Sequence, residues 1–76
     1  MKDRVMDIIS RYADIDTRKI DVDMTFEELN LDYDDIMELL IPVEEEFELQ
    51  NLVETFRHIS VDTTISRFID MIKENI

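Results

Sequence analysis

The stretch from Phe26 to Phe47, FEELNLDYDDIMELLIPVEEEF, constrains the fold more than any other part of the chain. In its second half, apolar residues recur at positions i, i+3, i+4, i+7 and i+11, which is the spacing of one face of an α-helix. The sequence therefore predicts a long second helix with one face towards a core and an acidic face towards solvent. The apolar face consists of Ile36, Leu39, Leu40, Val43 and Phe47, and the acidic face of Asp34, Glu38, Glu45 and Glu48.

Turn signals precede this helix. Thr25 and Glu28 have the spacing of a capping box, which predicts a short helical turn that ends near Leu29. The chain has no glycine, so a residue at positive φ must be of another type. Asn30 is the best candidate for such a position, at the exit from the turn.

The long helix has a capped start and an internal proline. Asp32 is predicted to cap it, and Asp34 and Asp35 fall in its first turn, where the positive end of the helix dipole favours acidic side chains. Pro42 removes one backbone donor and clashes with the preceding turn. We therefore expect a kink at Pro42.

Three further segments show helical periodicity. One runs from about Lys2 to Tyr12, another begins at Asn51 as its capping residue and runs through about His58, and the last starts at Asp62 or Thr63. No convincing period-two alternation occurs, so residues 1–76 are predicted to form a single all-α domain, a small four-helix bundle of three main helices and one short helix. The expected core residues of these segments are Val5, Ile8, Ile9, Tyr12, Leu52, Val53, Phe56, Ile59, Ile65, Phe68, Ile69 and Ile72.

Negative charge is concentrated in the middle of the chain. The formal net charge is −12, and thirteen acidic residues but no Lys or Arg lie between Ile20 and Phe56. Such a surface repels a phosphate backbone, so we expect no nucleic acid partner and favour an electropositive protein partner. The alternative is that the acidic face only keeps a small domain soluble.

Location and oligomeric state are also expectations from composition. The chain has no cysteine, and no apolar run approaches the ~20 residues that span a bilayer. The start of the sequence, MKDRVMDII, is too charged for a signal peptide. We expect a cytoplasmic monomer without a membrane span.

The sequence offers no catalytic constellation. His58 is the one histidine, and no serine has the flanking glycine of a nucleophile elbow. The three aspartates in residues 32–35 suggest calcium, but the sequence around them has neither the glycine turn nor the terminal glutamate of a calcium-binding EF-hand loop. We therefore predict that the protein is not an enzyme and has no metal site.

Met37 and Ile41 are apolar residues outside the core face of the long helix. Acidic residues surround both of them on the helical wheel. An apolar centre with an acidic rim suits docking to a basic patch that also has an apolar centre. The alternative is that Met37 lies at the edge of the core and Ile41 packs under a neighbouring loop.

The pattern F-x-x-L-N-L-D-Y-D-D-x-x-E-L over residues 26–39, followed by E-E-E-F over 44–47, resembles the signature of acyl carrier proteins. That family has F-x-x-L-G-x-D-S-L-D-x-x-E-L and a similar E-E-E-F. The resemblance extends to residues 4–9 and 63–72, and requires an insertion of about three residues in the third helix. It implies a four-helix carrier fold, with 4′-phosphopantetheine on the serine of D-S-L and a second helix that binds basic patches on partner enzymes.

The chain departs from the family pattern at the attachment point. Tyr33 stands at the serine position, Asp34 replaces the leucine and Asn30 replaces the glycine. A phenol places its oxygen several ångströms farther from the backbone than a serine hydroxyl does, so attachment of the cofactor by the usual route is not expected. Asp32 matches the aspartate before the family's serine, and Asp35, Glu38, Glu44 and Glu45 match acids of the family's recognition helix.

These residues together predict an acyl-carrier-like domain without 4′-phosphopantetheine. It would dock on carrier-dependent enzymes of fatty acid, polyketide or related acyl-transfer metabolism. One alternative is a functional, specialised acyl or aminoacyl carrier with Tyr33 as an atypical site that does bear 4′-phosphopantetheine. Another is an acidic regulatory binding module. The predicted partner-binding residues are Asp32, Asp34, Asp35, Met37, Glu38, Ile41, Glu44 and Glu45.

Overall fold

A computed structural model describes residues 1–76 and confirms the all-α prediction. Three longer helices and one short helix form a small bundle without strands; an isolated bridge between Thr25 and Thr64 is the only β-type pairing. None of the helices combines the length and apolar composition that crossing a membrane requires. The helices are α1 Lys2–Ala13, α2 Tyr33–Phe47, α3 Leu52–Thr55 and α4 Ile65–Lys73, and short 3₁₀ turns cover Thr17–Lys19 and Glu27–Leu29.

The core is entirely apolar. Its 17 buried residues form one cluster, and no polar or charged residue is buried. Phe68 of α4 lies edge-on against Phe26 and Phe56, with ring centroids 5.1 Å and 5.6 Å away. Edge-to-face packing suits the aromatic quadrupole. The three rings therefore connect the long loop between α1 and α2, the residue that follows α3, and α4.

Backbone hydrogen bonds fix the long loop that leads into α2. The Ile65 and Ser66 N–H groups donate to the carbonyl oxygens of Met24 and Val22, each at 2.9 Å. The Glu27 N–H donates to the Val61 carbonyl oxygen at 3.0 Å. The loop is therefore tied to the start of α4, which fixes the position from which α2 begins.

Local signals at the start of α2 are confirmed. Thr25 and Glu28 form both bonds of the capping box, at 3.1 Å and 3.2 Å, and Asn30 adopts a left-handed conformation with φ 62°. Asp32 caps α2 by accepting from the Asp35 N–H at 2.8 Å.

Pro42 lies inside α2, which remains continuous to Phe47.

The predictions for α3 need correction. This helix ends at Thr55 and not near His58, and the side chain of Asn51 makes no capping bond. Asn51 instead adopts φ 63°, a left-handed conformation that its short polar side chain tolerates. Val53, predicted to join the core, is 45% exposed because α3 is a single turn with one buried position, Leu52.

The start of α4 and the ends of α1 and α2 differ from, or add to, what the sequence predicted. The last helix begins at Ile65, with the Thr64 side chain accepting from the Arg67 N–H at 3.1 Å, two to three residues later than the predicted start. Asp14 and Glu48 have positive φ, of 56° and 54°, and end α1 and α2. Without glycine, acidic residues occupy these helix-ending positions.

Candidate partner-binding surface

One face of α2 carries six of the eight predicted docking residues; the other two, Asp32 and Asp35, form the capping box at the start of the helix. The six follow the spacing i, i+3, i+4, i+7, i+10 and i+11, which places them on neighbouring positions of one helical surface. We call this surface the α2 face. It consists of Asp34, Met37, Glu38, Ile41, Glu44 and Glu45.

The two apolar residues of the α2 face differ in burial. Ile41 is 54% exposed, as the docking prediction requires and contrary to the alternative that it packs under a loop. Met37 is half-buried and packs against the core cluster, as its alternative described. Ile41 is therefore the main apolar contact point that this face offers.

A shallow depression of about 550 Å³ borders Ile41 at the carboxyl end of α2. Leu49, which is half-buried, supplies a second apolar side chain to its wall. Sequence periodicity could not place Leu49 here, because it follows the helix. The depression is lined by Ile41, Glu44, Glu45, Leu49, Gln50 and Asn51, so its wall carries two carboxylates beside the apolar pair.

Two acidic residues of α2 are held by Tyr12 of α1. The Tyr12 hydroxyl lies 2.5 Å from Glu38 Oε2 and 3.1 Å from Asp35 Oδ1. The other Asp35 oxygen accepts from the Asp32 N–H at 3.0 Å. This backbone bond is the leading cause that holds the pKa of Asp35 below its ordinary value. Asp35 and Glu38 thus fasten α1 to α2, and Glu38 is also exposed on the α2 face.

The same contacts predict an alkaline titration. The hydrogen bond to Glu38, followed by partial desolvation, raises the pKa of Tyr12 above its ordinary value. A raised folded-state pKa gives stability that is fully present below the unfolded-state value of about 10 and is lost as pH rises through the folded-state value. We expect tyrosinate absorbance to appear at higher pH in folded Tyr33→Phe protein, where Tyr12 is the only tyrosine, than in the urea-unfolded chain.

The Glu38→Gln variant is the control for the Tyr12 titration. It removes the negative charge and the strongest acceptor from the hydroxyl, so the folded protein should form tyrosinate at lower pH than the parent. Coincident titrations of the folded and unfolded parent protein would show that Tyr12 is not held by these carboxylates.

Glu44 has an intramolecular role that the sequence did not indicate. Its Oε2 atom accepts from the Leu52 N–H at 3.1 Å, in a partly buried contact. A carboxylate at this position satisfies an unpaired N–H at the start of α3. Glu44 therefore supplies the capping contact that had been predicted for Asn51.

Tyr33 connects the start of α2 to the turn after α3. Its side chain is 41% exposed, and its hydroxyl donates to the Arg57 carbonyl oxygen at 2.6 Å. Because the acceptor is a main-chain atom, no residue type in the sequence could have indicated this contact. Tyr33, which the sequence resemblance places at the attachment position of acyl carrier proteins, is therefore engaged in a tertiary hydrogen bond.

Replacing Tyr33 by phenylalanine is expected to lower the free energy of unfolding by about 0.5–1.5 kcal/mol, the net value of one such hydrogen bond. Urea denaturation measures this change. The matched control is Arg57→Ala, which keeps the acceptor carbonyl and should have a smaller effect. If Tyr33→Phe leaves the unfolding midpoint and the amide shifts of residues 51–58 unchanged, the bond contributes nothing to this junction.

The structure contains no cluster of metal-ligating side chains. His58 is exposed, and no group of three His, Cys, Asp or Glu residues is arranged to hold a metal ion. No protein-family model matches the chain. No solved structure matches it either.

Proposed function

We propose that the chain is a non-enzymatic, acyl-carrier-like docking domain. It binds, through the α2 face, an electropositive patch with an apolar centre on a carrier-dependent enzyme of fatty acid, polyketide or related acyl-transfer metabolism. The observation that carries this proposal is the exposure of Ile41, 54%, on a helix face whose other exposed residues are acidic. An exposed apolar centre with a charged rim is the usual composition of a small docking site.

The charge on the α2 face supports a basic partner. The four ion pairs of the protein join Arg4 to Glu46, Arg18 to Asp16, Arg57 to Glu54 and Arg67 to Glu74. None of them neutralises an acidic residue of the α2 face. Asp34 and Glu45 are exposed and make no side-chain hydrogen bond or ion pair, so their charges are available to steer a basic surface into contact.

The contacts of Tyr33 support a domain without 4′-phosphopantetheine. A transferase would need a nucleophilic oxygen close to the backbone at the start of α2. The Tyr33 oxygen lies at the end of a phenol ring and donates its hydrogen to Arg57. It would therefore meet an activated phosphate at the wrong position, and only after the loss of that hydrogen bond.

Two measurements with a phosphopantetheinyl transferase of broad specificity test the proposal. After incubation with coenzyme A, the intact mass of the chain should be unchanged. An added phosphopantetheine mass on Tyr33 would identify the chain as an atypical carrier. The chain should also slow the loading of a genuine acyl carrier protein by the same transferase, as a competitor for its docking patch.

The same competition can be measured with a ketosynthase in place of the transferase. If the chain competes with a genuine acyl carrier protein for neither enzyme, docking on carrier-dependent enzymes is contradicted. Saturable binding of a basic protein from outside acyl-transfer metabolism, together with that lack of competition, would favour the acidic regulatory module. The three readings therefore give different combinations of mass change, competition and partner.

A further inference from the structure

A cleft of about 310 Å³ between the turn after α3 and the helix α4 has a different character from the rest of the surface. No carboxylate lines it, although the chain has 20 acidic residues and each of the other three depressions contains at least one. Its wall includes Arg67 and His58. This cleft, which we call the α3–α4 cleft, is therefore the one depression that has a basic side chain and no carboxylate in its wall.

Arg67 retains most of its capacity to bind an anion. One guanidinium nitrogen contacts Glu74 at 3.2 Å in an exposed ion pair, and the side chain makes no other hydrogen bond. Since a guanidinium has five N–H donors, the N–H groups that do not contact Glu74 remain for a ligand carboxylate. The first turn of α4 holds the Arg67 backbone through its bond to Thr64 at 3.1 Å.

The remaining wall combines hydrogen-bonding groups with apolar surface. The imidazole of His58 and the hydroxyl of Thr63 make no hydrogen bond within the protein, so both are available to a ligand. Met71, which is half-buried, supplies accessible apolar surface to the wall, whereas Phe56 is fully buried and Ile59 almost so. A ligand with one polar end and one apolar end would therefore use both parts of the cleft.

Backbone contacts preorganise this wall. The Ile59 N–H donates to the Phe56 carbonyl oxygen at 2.9 Å, and the Thr63 N–H donates to the Ser60 carbonyl oxygen at 3.0 Å. The Asp62 N–H also donates to Ser60 Oγ at 3.1 Å. The segment from Phe56 to Thr63 is thus held in shape before any ligand binds, which reduces the entropy lost on binding.

We propose that the α3–α4 cleft binds a small monocarboxylate with a short alkyl group. The volume lies at the lower end of the range for ligand sites, which suits a small ligand. A single negative charge pairs with Arg67, whereas a dianion such as phosphate would meet about twice the repulsion from a protein of net charge −12. The alkyl group lies against Met71.

Titration with sodium butyrate, followed by amide chemical shifts at constant ionic strength, tests the proposal. We expect saturable shifts confined to residues 55–63 and 67–71. Butanol, which has the apolar part alone, and inorganic phosphate, which has the anion alone, should each bind on the order of tenfold more weakly, because each loses one half of the interaction.

Arg67→Gln should weaken butyrate binding on the order of tenfold, and Arg67→Lys should weaken it less, because lysine keeps the charge without the fork. The control is Arg18→Gln, which removes an exposed arginine that pairs with Asp16 in another part of the chain and should leave binding unchanged. The proposal is overturned if the amide chemical shift changes caused by butyrate do not saturate. It is also overturned if the Arg67→Gln protein folds and still shows the same shift changes. The cleft is separate from the α2 face, so this result does not depend on the proposed function.

Discussion

Replacing Phe68 by alanine is expected to lower the free energy of unfolding by about 3–5 kcal/mol, the usual range for truncation of a buried aromatic residue. Phe68 is fully buried and contacts both Phe26 and Phe56 edge-on. Native domains gain only roughly 0.05–0.15 kcal/mol per residue, so a chain of 76 residues has little stability in reserve. The loss is therefore a large fraction of the total stability, and the urea midpoint of the variant should fall well below that of the parent protein.

Urea denaturation followed by helical circular dichroism measures the loss in Phe68→Ala. The matched control is Val53→Ala, which also truncates an apolar side chain but at a position that is 45% exposed. That control should stay within about 0.5 kcal/mol of the parent protein. Equal destabilisation by the two substitutions would mean that Phe68 is not the centre of the aromatic packing between the loop, the α3 region and α4.

The start of α2 was predictable because its signals act over only a few residues. Asp32 accepts from a backbone N–H three positions later, and Asn30 turns the chain at positive φ within a glycine-free sequence. Both effects depend on the intrinsic chemistry of one side chain and its neighbouring backbone. The same holds for the apolar periodicity of α2, whose predicted core residues Ile36, Leu39, Leu40 and Val43 are buried, while the fifth, Phe47, is half-buried at the end of the helix.

Contacts between elements were not predictable from local patterns. The local prediction that the Asn51 side chain caps α3 was wrong. Instead, the carboxylate of Glu44, eight residues before Leu52, accepts from the Leu52 N–H. The position of Tyr12 between Asp35 and Glu38 depends on how α1 is rotated against α2, which periodicity does not determine. These contacts divide the acidic residues of α2 into those that hold the fold and those that remain available.

That division identifies the informative substitutions on the α2 face. Glu45→Lys and Ile41→Asp change exposed side chains that make no intramolecular hydrogen bond or ion pair, so both variants should fold like the parent protein. We expect each to weaken binding to a carrier-dependent enzyme by about 10- to 100-fold, because each reverses or removes a central contact of a small docking site. Glu38 and Glu44 are less suitable, since their loss would also disturb contacts with Tyr12 and Leu52.

Affinity measured by isothermal titration calorimetry, at low and at high salt, distinguishes the two contributions. Glu45→Lys should reduce the salt dependence of binding, because it removes a steering charge, whereas Ile41→Asp should weaken binding at both salt concentrations. The matched control is Asp7→Lys, an identical change in net charge at an exposed position of α1. If the control weakens binding as much as Glu45→Lys does, total charge and not the α2 face determines the interaction, and the acidic surface then has only its solubilising role.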